Sequence, residues 1–209
     1  MTGVTAWYIR HGHNPANQSR QLSHKAVDHP LTMLGAAQAT TLAERLASEP
    51  APAAIYSSPL RRAAQTAEII AARTGSDVSV IEGLRELDVG TLDGRSDEDA
   101  WAAYHRVLAD WDAGNYHSGF PGGEDYRKMT ARLAAALGNA VRHPPGSRVL
   151  IVGHGGIIRA AIPALCPGTP KPATDLPNCG IAELALRPAP AGATGNLRHW
   201  PLALGSGPH

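Results

Sequence analysis

The sequence predicts an α/β protein, a three-layer α/β/α sandwich around a mostly parallel central sheet of about six strands, because short apolar runs alternate with longer stretches of helical spacing. Three observations carry that prediction. Val4–Ile9 and Val149–Val152 are apolar almost throughout, as strands buried on both faces are. The segments between such runs open on capping residues and close on Pro or Gly. No internal repeat, heptad run or linker interrupts the alternation, so 1–209 reads as one domain, long enough to bury roughly 70% of its unfolded surface.

The elements follow in order. Val4–Ile9 is a strand that stops at Arg10-His11-Gly12. Thr32 caps a helix whose apolar stripe runs through Ala39, Leu42, Ala43 and Leu46, and Pro50 and Pro52 end it. Ala53–Tyr56 is a second strand. Ser58-Pro59 reads as a cap with Pro at the first helical position, opening a helix that runs to Arg73. Val78–Ile81 is a third strand, and 82–95 a glycine-bearing loop. Ser96 is expected to cap a helix with Asp97, Glu98 and Asp99 in its first turn, where the positive helix end favours acids. After a loop over 114–123, Tyr126, Met129, Leu133, Leu137 and Val141 mark another helix. Val149–Val152 runs straight into Gly153-His154-Gly155-Gly156 and an apolar helix from Ile157 to Leu165. Ile181–Leu186 alternates as a strand, Pro188 to Gly195 reads as a turn-rich connection, and Leu197–Leu202 as a last short strand.

Composition narrows the function classes. Nineteen Lys+Arg against 18 Asp+Glu give a formal charge of +1, which argues against nucleic acid or an anionic membrane surface as partner. Aromatic residues make up only 5%, with a single Phe, too few for a ladder of stacking rings along single-stranded nucleic acid. No apolar run approaches the ~20 residues of a membrane span. Met1-Thr2-Gly3-Val4 lacks the charged and apolar regions of a secretory signal. With Cys166 and Cys179 as the two cysteines, a disulfide scaffold is excluded and a reducing, cytoplasmic setting is expected. Oligomeric state is not readable, and a homodimer is left open.

Two segments share one design, a buried strand ending in His-Gly. Ligands of open parallel sheets bind beyond the carboxyl ends of the strands, so Arg10-His11-Gly12 and Gly153-His154-Gly155 should face one crevice and set their imidazoles about one small group. Gly155-Gly156 at a helix start, and Gly12 after His11, would let backbone N–H groups approach an anion closely. Arg10 adds a planar, permanently charged fork suited to phosphate oxygens.

An ordered set of blocks then carries a family resemblance. They are Arg10-His11-Gly12, Pro30-Leu31-Thr32 with Gly35 and Gln38-Ala39, and Ser57-Ser58-Pro59-Leu60-Arg61-Arg62-Ala63 with Gln65-Thr66-Ala67. Leu84-Arg85-Glu86 with Gly90, Pro121-Gly122-Gly123-Glu124 and Val152-Gly153-His154-Gly155-Gly156 complete them. The chain resembles the histidine phosphatase superfamily, which includes the cofactor-dependent phosphoglycerate mutases. The resemblance implies a phosphoglycerate mutase-like fold, His11 as the nucleophile that takes the phosphoryl group, and Arg10 and Arg62 as the clamp on its oxygens. It implies His154 as the second imidazole of the pocket, Glu86 as the acid that protonates the leaving oxygen and then activates water, and no metal or other cofactor. Gly155, Asn17 and Arg20 complete the candidate phosphate- and substrate-binding set.

Plainer readings stand beside these. Arg61 competes with Arg62 for the clamp, Glu86 could pair with Arg85, and Glu124 at a helix start could simply complement the helix dipole. Asn17 is either a phosphate contact or a turn-stabilising amide. Arg20, His24 and Lys25 either read the rest of the substrate or are solvated. His13, His24, His29, His105 and His117 fit no zinc-ligand spacing. The leading expectation is a phosphomonoester hydrolase acting on a small phosphate ester. A phosphoglycerate mutase-type phosphotransferase and a catalytically inactive phosphate-binding module are the alternatives. Gly90 to Gly123 holds one helix and a short loop, without the insertion that covers a mutase pocket, which favours hydrolysis.

Overall fold

In the computed structural model, which describes residues 3–204, the near-continuous apolar run at the start forms β1 (Val4–Arg10). Met1-Thr2 of the expected leaderless start, and residues 205–209, lie outside the described residues. The helices are α1 (Pro15–Ser19), α2 (Met33–Ala47), α3 (Arg61–Thr74), α4 (Glu98–Asp112), α5 (Tyr126–Leu137) and α6 (Gly155–Leu165). The remaining strands are β2 (Ala54–Ser57), β3 (Val78–Val80), β4 (Arg148–Gly153), β5 (Ile181–Ala189) and β6 (Gly192–His199). They form one sheet in the order β3-β2-β4-β1-β5-β6.

Strand periodicity sorts the core into two layers. Val4, Ala6 and Tyr8 of β1, with Val149 and Ile151 of β4, face α4, α5 and α6. Trp7 and Ile9, with Leu150 and Val152, face α2 and α3. Successive side chains point to opposite faces, so a strand buried on both must be apolar at every position. Among the described residues no helix is long and apolar enough to cross a membrane.

The sheet is mostly parallel, as expected: it is parallel from β3 to β1, and β5 pairs antiparallel with both β1 and β6. Several local expectations need correction. The stretch from Pro188 to Gly195 is largely strand, with Pro188 opposite Ala193 and Leu186 opposite Gly195. Gly195 there is a packing residue, since a Cβ on it would lie 2.3 Å from the Ala185 carbonyl oxygen. Asp97 rather than Ser96 caps α4, accepting from the Ala100 N–H at 3.0 Å. Helix α1 is an addition to the expected elements. It is one short turn closed by a reciprocal Asn14–Asn17 capping box, with no apolar period to announce it. Helix α3 begins at Arg61, so Ser58 does not cap it; its hydroxyl oxygen accepts from the Leu60 N–H at 3.3 Å, and a further contact is left to it.

Candidate active site

Strands β1 and β4 are neighbours in register, Arg10 opposite Gly153, which carries both His-Gly turns to one crevice. The His11 N–H donates to the Gly153 carbonyl at 3.0 Å. Both imidazoles are buried, and their ring centroids lie 5.2 Å apart at an interplanar angle of 61°.

The hydrogen bonds of His11 fix its tautomer. Nδ1 lies 2.7 Å from the Gly12 carbonyl oxygen, which can only accept, so Nδ1 carries the proton. Nε2 is left with its lone pair and accepts from Arg62 Nε at 3.2 Å. Burial first, and then the Arg62 charge, hold the His11 pKa well below the ordinary histidine value, so the ring is neutral. His154 is pushed down in the same way by burial, Arg62 and His11. Its backbone N–H donates to the Tyr8 hydroxyl at 3.0 Å, and its Nε2 lies 2.8 Å from Ser58 Oγ. The Ser58 hydroxyl thus meets His154 as well as the Leu60 N–H.

Arg62, in the first turn of α3, is 2% exposed, whereas Arg61 faces solvent and gives only its backbone N–H to Asp28. Arg62 Nη2 donates to the Ser23 carbonyl at 3.0 Å. Among the described residues its Nη1 has no hydrogen-bond partner, and the Asp28 carboxylate 3.8 Å away is beyond hydrogen-bond reach. Arg10 Nη1 donates to the Leu176 carbonyl at 2.6 Å, while its Nε is unpartnered. Asn14 Nδ2 and His154 Nδ1 are buried without partners too. Buried polar groups are almost always satisfied, so unpartnered groups on four residues about one imidazole call for a ligand with several acceptor oxygens. Arg10, His11, Asn14 and Arg62 line a single cavity of about 420 Å³, which Gly155 and Glu86 share.

The start of α6 departs from expectation. Its amides already hold an anion, the carboxylate of Glu86. Oε1 accepts from Leu87 N at 2.9 Å and Ile157 N at 2.6 Å, and Oε2 from Gly156 N at 3.0 Å. Each carboxylate oxygen has two lone-pair sites, so Oε1 is filled and Oε2 keeps one open. A Cβ on Gly156 would stand 3.0 Å from both oxygens, and glycine is what lets the carboxylate dock there.

Arg85 does not compete for Glu86, because it pairs with Glu82 at 2.7 Å. Glu124 is not a helix-end acid either; Asp125 caps α5. Glu124 instead forms a two-pronged pair with Arg132, at 2.6 and 2.7 Å, and accepts from Asp88 N at 3.1 Å. Arg132 donates onward to the carbonyls of Gly83, Arg85 and Glu86. The loop bearing Glu86 is thus clamped from α5, by a residue that sequence reasoning did not single out.

Asn17 lines the cavity, but its Oδ1 is engaged by the Asn14 N–H at 3.1 Å, which is the turn-stabilising role. Arg20 is exposed; its guanidinium lies 5.9 Å over the Trp101 ring rather than among the phosphate-facing groups. The loop from His24 to Ala26 is fixed by three backbone N–H donors to Asp93, and His24 lies 3.6 Å from Asp88. His13 meets Thr32 Oγ1 and His29 meets Gln21, each a separate local contact. Among the described residues no three His, Cys, Asp or Glu side chains gather to hold a metal. Burial pushes the Cys166 thiol up to about 11 and Cys179 to about 12, so neither is a thiolate at neutral pH.

Residues 6–191 match the family model of the histidine phosphatase superfamily, branch 1. The probable phosphoglycerate mutase GpmB of Salmonella paratyphi C is 34% identical over 190 residues, covering 87% of this chain and 84% of that protein. A mycobacterial glucosyl-3-phosphoglycerate phosphatase complexed with VO3 superposes with a TM-score of 0.78 at 27% identity, over 95% of this chain and 99% of the other. Phosphoserine phosphatase of Entamoeba histolytica, in complex with 3-phosphoglyceric acid, gives 0.74 at 25% identity, over 96% and 98% of the two chains.

Proposed function

The chain belongs to the histidine phosphatase superfamily, and from that premise we propose that it is a phosphomonoesterase that hydrolyses a small phosphorylated metabolite through a phosphohistidine on His11. The observation that carries this reading is the neutral His11 Nε2, held as an acceptor among unpartnered donors of Arg10, Asn14 and Arg62. Glu86 takes up a proton at the open site of Oε2 from the phosphate monoester monoanion as it binds. Nε2 then attacks phosphorus, the P–O ester bond breaks, and Glu86 hands that proton to the departing ester oxygen. Arg10, Arg62, Asn14 and His154 stabilise the charge spread over the equatorial oxygens, and such electrostatic stabilisation supplies most of the catalysis in phosphoryl transfer. In the second step Glu86 takes a proton from water, whose oxygen attacks phosphorus. The P–N bond breaks, inorganic phosphate leaves, and the lone pair returns to Nε2. The arginine and histidine donors take the place of a metal ion in this scheme.

The mutase reading differs only in the acceptor of the phosphoryl group. Hydrolysis is favoured because between Gly90 and Gly123 the chain supplies one α-helix, α4, a single 3-10 turn and short loops, with no inserted element to exclude water from the cavity. Rapid acid-free quench of the enzyme with a phosphate ester, in the presence of a chelator, should trap acid-labile, base-stable phosphate on His11 and release inorganic phosphate. Adding 2,3-bisphosphoglycerate should leave that release unchanged. Full activity in His11→Ala would overturn the mechanism, and transfer to phosphoglycerate in place of phosphate release would favour the mutase.

A further inference from the structure

The cavity is far larger than a phosphoryl group needs. Its volume of about 420 Å³ falls within the ~300–1,000 Å³ of sites that enclose whole organic ligands. Beyond the phosphate-facing groups its wall is aromatic. Of the chain's four Trp and five Tyr, two Trp and three Tyr line it. Trp111 and Tyr126 are buried in the core, whereas Trp101 and Tyr104 pack against it half-buried and keep part of their ring surface toward the cavity. The rings brace one another and are braced by Phe120 from behind the cavity wall. Phe120 stacks on Tyr104 at 5.6 Å and meets Trp111 edge-on at 5.6 Å, and Trp101 meets Tyr104 at 5.3 Å. The indole N–H groups are already used, Trp101 on the Arg20 carbonyl and Trp111 on the Ser118 carbonyl, both at 2.7 Å. These two residues therefore offer a ligand ring surface and no N–H donor, with the Arg20 guanidinium lying 5.9 Å over the Trp101 ring.

The charges on the same wall are equally committed. Arg159 pairs with Asp175 at 3.3 Å and donates to the carbonyls of Pro172 and Ala173. Lys171 is ion-paired with Asp112. Away from Arg10 and Arg62, the lysine and arginine lining this cavity are thus neutralised by carboxylates, and a second anionic group placed against them would have to displace one.

We infer that the substrate is a monoester whose leaving alcohol carries an uncharged, flat aromatic ring seated against Trp101 and Tyr104, and not a small phosphorylated acid. The inference rests on the phosphomonoesterase reading for its chemistry, and on the wall alone for its selectivity. Offset or edge-on ring contacts reward a rigid aryl group over an alkyl chain of equal reach.

The test compares primary-alcohol esters, so that leaving-group acidity stays matched: 2-(2-naphthyl)ethyl phosphate, propyl phosphate and 3-phosphoglycerate. For the intact enzyme kcat/KM should favour the naphthyl ester over propyl phosphate at least tenfold, with 3-phosphoglycerate the poorest. In Trp101→Ala and in Tyr104→Leu the naphthyl-to-propyl ratio should fall at least fivefold. Calorimetric binding of the matching naphthylethyl and propyl phosphonates, which need no turnover, should show the same ranking. Equal or reversed ranking in both assays, or a ratio untouched by both variants, overturns the inference. Absence of turnover together with naphthyl-selective phosphonate binding would instead overturn the hydrolase reading and leave the aromatic site standing.

Discussion

Replacing Glu86 by Gln separates the structural work of this carboxylate from its chemical work. The amide keeps its carbonyl oxygen where Oε1 accepts from Leu87 and Ile157, and it places its NH2 at the Oε2 position, facing the Gly156 N–H. One charge-assisted bond is lost, about 1.5–3 kcal/mol, and with it the attraction of a negative charge to the start of α6, ~0.3–1 kcal/mol. A cost of about 2–4 kcal/mol is smaller than the ~5–15 kcal/mol stability of ordinary domains, so the variant folds. Loss of the proton donor should slow hydrolysis of an alkyl phosphate about 10²–10⁴-fold, equivalent to roughly 3–5.5 kcal/mol of barrier. An ester of an acidic phenol, such as 4-nitrophenyl phosphate, needs no proton on its leaving oxygen. Stopped-flow measurement of Glu86→Gln with that ester should give a rapid burst of one nitrophenolate per site. A slow steady state should follow, because water then lacks its base. If the first turnover of the nitrophenyl and alkyl esters is slowed equally, Glu86 is not the proton donor and the scheme fails.

Two further perturbations follow from the same contacts. His11 and His154 are held below the ordinary histidine pKa by burial and by Arg62, so the folded chain binds protons there less readily than the unfolded chain. Stability from these neutral rings is complete above the unfolded value of about 6.5 and is lost as the pH falls from there through the lower folded values. Urea midpoints should therefore drop from pH 7.5 to pH 5, less steeply in His154→Gln, and the acid limb of kcat/KM should lie below 6.5; a limb centred on 6.5 contradicts the assignment of His11. Tyr8→Phe removes the acceptor 3.0 Å from the His154 N–H and leaves that buried group unpaired, a loss of about 1–3 kcal/mol by urea titration. An unchanged midpoint would show that the hydroxyl does not hold His154.

What could be read beforehand, and what could not, divides along physical lines. The two buried strands and the His-Gly turn that ends each were legible because burial on both faces forces an unbroken apolar run. The pairing of those strands put His11 and His154 together as strand-end reasoning expects. Arg62 could be told from Arg61 only through the family blocks, since either side chain at a helix start looks alike in sequence. Tyr8 and Arg132 left no sequence signal as site residues, and Ser58 read as a helix cap. Each of them works through a contact between residues 46 to 146 positions apart, and two of the three act on backbone atoms, which every residue carries. The β5–β6 hairpin was hidden by Pro188, Gly192 and Gly195, residues that read as turn formers although Gly195 is set by lack of space.

The place of β1 in the sheet sets a schedule for the newborn chain. Its two neighbours are β4 and β5, and the Tyr8–His154 contact alone spans 146 positions. At about 5–20 residues per second, a ribosome needs roughly 7–30 s to carry the chain from Tyr8 to His154. For that whole interval the most apolar strand of the N-terminal half has no strand to pair with, while β2 can already pair with β3. Trp7, Tyr8 and Ile9 are then the segment most in need of a chaperone's cover. Since the same late pairing assembles the two imidazoles, recovery of activity on refolding should report completion of the fold itself, with no active species before it.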